Sequence, residues 1–226
     1  MKRILSLILA VVWMAGLVLA VSPAPAASGE KLVALTFDDG PGPYTDRLLD
    51  GLKARGVAVT FFMVGTNVRN YPETVARVYR EGHQVANHSY DHPDLTGLSD
   101  SGVQSQIQKT NELLDKACGR GATYLVRAPY GSTNARVRSL VGAPLVYWSV
   151  DPQDWKYRNA ETVKNHIVDD AFDGAIILVH DIHSTSVDGA LAAIDICRTG
   201  AMNCHGAGAV PAPGAEYGKR RPVLQL

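Results

Sequence analysis

The stretch Thr36-Phe37-Asp38-Asp39-Gly40-Pro41 follows Leu32-Val33-Ala34-Leu35, a short apolar run bounded by turn-forming residues. Such a run predicts a buried parallel strand. Two adjacent carboxylates therefore come at the carboxyl end of a strand, directly before a Gly-Pro break in chain direction. In α/β sheets this edge is where ligands bind and where catalytic residues lie. A solvated turn is the alternative, because Asp-Gly and Gly-Pro are common in loops, and the hexapeptide alone leaves both open.

Predicted strands and helices alternate along the rest of the chain. The further strands come from β-branched and aromatic runs, at residues 57–64, 83–86, 123–126, 145–150 and 175–179. The helices have apolar residues at helical spacing, at residues 46–55, 73–80, 99–118, 134–141, 162–171 and 187–198. This alternation predicts parallel pairing with right-handed crossovers, in a barrel or a sheet close to one. Strongly polar clusters directly follow the strands, and in a barrel they converge on one rim.

A candidate metal site comes from three of these polar residues. His88 and His92 are four positions apart, so on a helical turn both rings would project to one side. Together with Asp39 they offer two imidazoles and one carboxylate, which leaves open positions for water and substrate. This ligand set is typical of a catalytic zinc site rather than a closed structural one. Histidine pairs at this spacing are often incidental, but the acidic pair at another strand end favours the metal site.

Five motifs, in order, resemble those of the polysaccharide deacetylases, the NodB-like enzymes of carbohydrate esterase family four. The motifs are Thr36-Phe37-Asp38-Asp39-Gly40-Pro41, His88-Ser89-Tyr90-Asp91-His92, Arg127-Ala128-Pro129-Tyr130-Gly131, Asp151-Pro152-Gln153-Asp154-Trp155 and Leu178-Val179-His180. The resemblance covers roughly residues 31–199. It implies a distorted (β/α) barrel, TIM-like, with about seven strands. It also implies metal-dependent removal of acetyl groups from N-acetylated sugars, or of O-acetyl groups from xylan.

On the metal side of the reaction, the resemblance assigns roles to five residues. Asp39, His88 and His92 would hold the metal, with Zn²⁺ as the first choice and Co²⁺ or Ni²⁺ as alternatives. Asp38 would be the general base that takes a proton from water. Arg127 would pair with Asp38 and, together with the metal, keep it ionised.

Five further residues receive roles on the substrate and leaving-group side. His180 would protonate the departing amine, and Asp154 would act on this acid either through His180 or through Arg127. The backbone N–H of Tyr130 would stabilise the oxyanion. Trp155 would form a groove wall against a sugar face, and Leu178 would line the pocket for the acetyl methyl group.

The N-terminal residues predict export. A basic start precedes an apolar run over residues 4–21, and Ala24-Pro25-Ala26 supplies a small-residue cleavage site. This pattern predicts a signal peptide over residues 1–27 and a secreted or cell-surface protein. The alternative is an uncleaved membrane anchor, because the apolar run approaches the length of a membrane span.

The remaining chain predicts one catalytic domain over residues 28–200 and an irregular tail over residues 201–226. The formal net charge is zero, so nothing favours a nucleic-acid partner. We expect a monomer whose partner is an acetylated polysaccharide. Three cysteines allow at most one internal disulfide; Cys197 with Cys204 is one pairing, and the others stay open.

Two features depart from the family pattern. Ala128 stands where the family usually has proline, which removes rigidity but no functional group. Residues 197–209 contain no β-branched run and do not easily supply a barrel strand, so the C-terminal strand is degenerate. Three explanations of this segment stay open: a genuine variant, a loop closed by a disulfide, and a damaged reading frame.

The leading functional hypothesis is a metal-dependent hydrolase that deacetylates N-acetylglucosamine units of a cell-wall or chitin-type polysaccharide, with peptidoglycan as the first choice. An acetylxylan esterase would use the same residues on an ester. A carbohydrate-binding protein with a dead site is an alternative from another class, as is a metal-storage or structural surface protein. The separate base, arginine and acid argue against both of these non-catalytic classes.

Overall fold

The protein is described here by a computed structural model covering residues 33–119 and 121–198. The first half of these residues follows the predicted alternation of strands and helices, whereas no regular strand separates the helices described between residues 100 and 170. The strands are β1 Ala34–Asp38, β2 Thr60–Met63, β3 Gln84–Asn87 and β4 Ile176–His180. The helices are α1 Thr45–Arg55, α2 Gly65–Asn70, α3 Pro72–Arg80, α4 Asp100–Cys118, α5 Ala135–Val141, α6 Asp154–Tyr157, α7 Ala160–Asp170 and α8 Ser184–Arg198.

The four strands form one parallel sheet in the order β3-β2-β1-β4. The register places Thr36 opposite Leu178 and Asp38 opposite His180. Because side chains alternate between the two faces of a strand, these four residues share one face of the sheet. The candidate base and the candidate acid are therefore neighbours at the carboxyl ends of adjacent strands.

Two predicted strands form only single bridges in the described part of the chain. Val126 bridges to Asn87 and to Leu145, and Val150 bridges to Ile177, all in parallel. The bridges connect β3 with β4 by way of residues 123–126 and 145–150. The α/β fold with a parallel sheet is confirmed, whereas a barrel with about seven strands stays a prediction.

The largest hydrophobic cluster lies on the face of the sheet that the helices cover. Phe37 of β1 and Phe61 of β2 belong to it and stack with ring centroids 5.5 Å apart. Leucines of α1 and apolar residues of α8 complete this side, and Leu48 is fully buried. The opposite face of β1 carries Thr36 and Asp38, which are both buried and polar. One face of the sheet thus packs against the apolar core, and the other face carries buried polar side chains.

Helix ends follow local sequence signals. The α1 helix ends at Arg55 and is capped by the left-handed backbone of Gly56 (φ 63°), and α3 begins at Pro72. Ser99 Oγ accepts the backbone N–H of Gly102 at 3.2 Å and caps the start of α4. The patterns did not predict α2 and α6, because helices of six and four residues are too short to show an apolar period.

Several predictions fall on residues that the structure does not describe. These are the signal peptide over residues 1–27, the tail over residues 201–226, and a disulfide between Cys197 and Cys204. Residues 199–209 of the degenerate segment also lie outside the described part. Among the described helices, none is long and apolar enough to cross a membrane.

Candidate active site

Asp39, His88 and His92 converge beyond the carboxyl ends of β1 and β3. Each offers one ligand atom, and the three atoms lie within 4.8 Å of one another. Asp39 Oδ1 is 3.5 Å from His88 Nε2 and 3.3 Å from His92 Nε2. One ion placed among these atoms could be bound by all three.

The surroundings of these atoms fit a divalent cation. His88 Nδ1 lies 2.7 Å from the carbonyl oxygen of Arg127, which only accepts, so Nδ1 carries the proton and Nε2 a lone pair. Burial lowers the pKa of His88 to about 3, so the ring is neutral. Among the described residues no donor reaches the buried Asp39 Oδ1. A carboxylate oxygen and an unprotonated ring nitrogen that face each other lack a positive partner, and a metal ion supplies it.

The predicted helical turn between the two histidines was wrong. β3 ends at Asn87, and residues 88–92 form an irregular loop in which Ser89 and His92 have φ angles of 67° and 62°. Ser89 Oγ accepts the backbone N–H of His92 at 3.1 Å and folds the loop back on itself. The two imidazole centroids are 4.9 Å apart as a result. Backbone reversal, rather than helical spacing, brings the rings together.

Asp38 and Arg127 form a buried ion pair. Arg127 Nη1 donates to Asp38 Oδ1 at 2.7 Å and to Thr36 Oγ1 at 2.8 Å. Its Nε and Nη2 donate to the carbonyl oxygens of Val146 and Tyr147 at 3.2 and 3.1 Å. Burial raises the pKa of Asp38 above its usual range, although Arg127 opposes this rise. The ion pair alone therefore does not hold the pKa low, and a raised pKa suits a proton acceptor.

His180 and Asp154 are joined by two hydrogen bonds. His180 Nδ1 lies 2.9 Å from Asp154 Oδ1, and the backbone N–H of His180 donates to Asp154 Oδ2 at 2.9 Å. Of the two partners that the sequence left open for Asp154, the structure places it on His180. Burial by itself lowers the pKa of His180, but the hydrogen bond and charge of Asp154 outweigh burial and raise it to about 9. His180 therefore carries a proton at neutral pH.

The residues predicted to face substrate lie at the rim and floor of this site. The Tyr130 ring, 70% exposed, meets the His92 ring edge-on at a centroid distance of 4.7 Å. Trp155 follows Asp154 in the first turn of α6 and is half exposed. Leu178 is buried in β4, two positions before His180. Their placement is compatible with the predicted roles, which stay predictions.

The comparison with known proteins decides the family. Residues 26–143, just over half of the 226-residue chain, match the family model for polysaccharide deacetylase. The chain belongs to the polysaccharide deacetylase family. It is 46% identical over 162 residues to the peptidoglycan-N-acetylmuramic acid deacetylase PdaC of Bacillus subtilis, covering 71% of this chain and 34% of that protein.

Two further relatives carry different substrate names. The peptidoglycan-N-acetylglucosamine deacetylase PgdA of Listeria monocytogenes is 47% identical, over 72% of this chain and 35% of that protein. The chitooligosaccharide deacetylase of Rhizobium leguminosarum bv. trifolii is 41% identical, over 69% of this chain and 74% of that protein. The solved structure of PdaC superposes with a TM-score of 0.73 at 44% identity, covering 76% of this chain and 85% of that one. The chain thus spans about a third of the length of the first two curated relatives.

One buried carboxyl in this chain was not singled out from the sequence. Asp181 is fully buried, and Thr45 Oγ1 donates to its Oδ2 at 2.5 Å while accepting the backbone N–H of Gly42. A Cβ atom on Gly40 would lie 2.3 Å from Asp181 Oδ1, so no larger residue fits there without displacing the carboxyl. Asp181 therefore ties the loop after Asp39 to β4. The one sequence signal for Asp181 was its position directly after His180. This signal is weak, because acidic residues commonly follow strands.

The pH dependence of acetate release tests the pairing of His180 with Asp154. If His180 is the acid, it must be protonated, so activity should fall as pH rises through about 9. In Asp154→Asn the charge is gone and burial lowers the pKa of His180, so this alkaline limb should move down by about one unit or more. The matched control is Asp151→Asn, since Asp151 accepts from the backbone of Gln153 and not from His180. An alkaline limb that Asp154→Asn leaves in place would contradict the assignment.

Proposed function

We propose that this protein is a metal-dependent hydrolase that removes acetyl groups from N-acetylglucosamine units of a cell-wall or chitin-type polysaccharide, with peptidoglycan as the first choice. One observation carries the proposal: Asp38, which is buried, and His180 lie opposite each other on adjacent strands, beside the Asp39–His88–His92 cluster. The family and the printed names of the relatives support a polysaccharide N-deacetylase.

The cluster would hold Zn²⁺, with Co²⁺ or Ni²⁺ as alternatives, through Asp39, His88 and His92. When bound, such an ion supplies polarisation of a carbonyl oxygen and lowers the pKa of water. Arg127 holds Asp38 by Oδ1, so Oδ2 would take the proton from the attacking water. The ion pair also fixes the carboxylate plane, so the base is oriented before substrate arrives.

The leaving amine needs a proton, because an amide anion is a very poor leaving group. His180 binds Asp154 through Nδ1, which leaves Nε2–H to deliver that proton. The backbone N–H of Tyr130 would bind the oxyanion, Leu178 the acetyl methyl group, and Trp155 a sugar face. Export through residues 1–27 would bring the enzyme to its polymer outside the cell.

Acetate release by the purified chain tests this function. Chelation followed by dialysis should lower the rate about a hundredfold or more, because a catalytic metal contributes several kcal/mol to transition-state stabilisation. Added Zn²⁺ should restore it. The substrates, compared side by side, are peptidoglycan, N-acetylglucosamine oligomers and acetylated xylan.

The ranking of these substrates separates the alternatives. Faster release from the two amide substrates supports the proposal, and faster release from xylan indicates an esterase with the same site. A folded, metal-loaded chain that releases no acetate from any of the three would refute the hydrolase. That result would indicate a carbohydrate-binding protein instead.

A further inference from the structure

The loop over residues 88–92, here called the metal loop, is bonded directly to the Gln106 side chain of α4. Gln106 Oε1 accepts two successive backbone N–H groups, from Tyr90 at 2.7 Å and from Asp91 at 3.2 Å. Gln106 Nε2 donates to Asp91 Oδ1 at 2.6 Å. Three hydrogen bonds from one amide therefore fix the two residues that lie midway between His88 and His92.

The opposite side of the metal loop is bonded to the start of α2. The backbone N–H groups of Gly65 and Thr66 donate to the carbonyl oxygens of Ser89 and Tyr90 at 3.0 and 2.8 Å. A Cβ atom on Gly65 would lie 2.6 Å from Thr110 Oγ1 and 2.7 Å from Tyr90 Cδ2. Only glycine allows α2, α4 and the loop to approach this closely. The metal loop is thus held between two helices.

The start of the metal loop is also tied to α4, through Asn87. Asn87 Oδ1 accepts the backbone N–H of Ser89 at 2.8 Å, and Nδ2 donates to the Ile107 carbonyl oxygen at 3.0 Å and to Asn111 Oδ1 at 2.7 Å. Ser89 and His92 both occupy the left-handed region, which residues with a Cβ atom disfavour. Such a backbone persists where surrounding bonds over-determine it.

We propose that Gln106 is a positioning residue for the metal ligands. By holding Tyr90 and Asp91, it keeps the loop in the conformation that places His92 Nε2 3.3 Å from Asp39 Oδ1. Without the amide, two backbone N–H groups lose their acceptor, and the left-handed turns relax toward more favourable backbone. The ligand atoms then separate and the metal binds less tightly. This role rests on the metal site of the proposed function.

The first test compares two glutamines of the same helix in the purified full chain. Gln106→Met keeps the length of the side chain and removes the amide. Gln108→Met makes the same change at an exposed position whose Nε2 donates to Glu112. We expect the Zn²⁺ dissociation constant, measured by competition with a chromogenic chelator, to rise about tenfold or more in Gln106→Met. Gln108→Met should leave it unchanged.

A rescue pair separates positioning from general damage to α4. In Gln106→Glu the carboxylate still accepts both N–H groups but faces the carboxylate of Asp91, so Zn²⁺ binding should weaken. Adding Asp91→Asn restores the hydrogen bond in the reverse direction, because the new amide at position 91 donates to the carboxylate at position 106. Zn²⁺ binding should then return toward the native value. A merely structural defect would not respond to this second change. If Gln106→Met does not fold, the comparison between Gln106→Glu and the double variant decides.

Hydrogen exchange of the metal-free chain gives a readout that needs no Zn²⁺. The amides of Tyr90 and Asp91 should exchange faster in Gln106→Met than in Gln108→Met, because they have lost their acceptor. Native exchange together with native Zn²⁺ affinity in Gln106→Met would overturn the role of Gln106 alone. A native chain that does not bind Zn²⁺ would overturn the metal site itself, and with it both proposals.

Discussion

Acetate release should fall about a thousandfold in Asp38→Asn, because a carboxamide cannot take the proton that the attacking water must lose. The substitution keeps the shape of the side chain, and Asn Oδ1 can still accept from Arg127 Nη1, which lies 2.7 Å from Asp38 Oδ1. Metal content should stay native, since Asp38 is not one of the three proposed ligands. Initial rates on N-acetylglucosamine oligomers, with metal content by mass spectrometry on the same preparation, give both numbers.

The contrast with His88→Ala sharpens this prediction. Removing His88 deletes a proposed ligand, so that variant should lose metal and acetate release together. Asp151→Asn serves as the neutral control, because Asp151 accepts from the backbone N–H of Gln153 at 2.8 Å and does not touch the metal cluster. Near-native rates in Asp38→Asn would show that another group accepts the proton.

Arg127→Met should lower the free energy of unfolding by about 3–5 kcal/mol, the usual cost of leaving one partner of a buried ion pair uncompensated. Arg127 is completely buried, and its guanidinium satisfies Asp38, Thr36 and two backbone carbonyl oxygens. Its Cζ also lies 4.0 Å from the centroid of the Phe62 ring, a contact that methionine replaces only in part. Urea denaturation of the metal-free chain at neutral pH measures the change.

Two comparisons isolate the ion pair as the cause. Arg47→Met removes a half-exposed partner of Asp188, and exposed pairs contribute only about 0–1 kcal/mol. The double variant Arg127→Met/Asp38→Asn removes the stranded charge as well and should recover part of the lost stability. An equal decrease in the free energy of unfolding in Arg127→Met and Arg47→Met would mean that the buried ion pair does not stabilise the fold.

Much of the fold was accessible from local patterns. Alternating apolar runs and helical periods predicted every regular strand of the sheet and the six longer helices, because these signals repeat within each segment. Residues 123–126 and 145–150, which the patterns predicted as strands, form only isolated bridges. Val126 bridges on both sides, but the carbonyl oxygens of Val146 and Tyr147 bond to the Arg127 side chain rather than to a neighbouring strand. The apolar pattern of a strand does not show whether a distant side chain will bond to its carbonyl oxygens.

The strand pattern alone indicates which functional groups stand at the ends of successive strands, and hence that Asp38, Asp39, His88 and His180 share one edge. The partners of those groups depend on how the strands and helices pack. Asp154 reaches His180 rather than Arg127, and residues 88–92 fold as a loop held by Gln106 rather than as a helical turn. The physical reason is that a hydrogen bond depends on the distance and angle between two groups distant in sequence. Strand order and helix packing set that geometry, and the local repeat of apolar residues does not predict it.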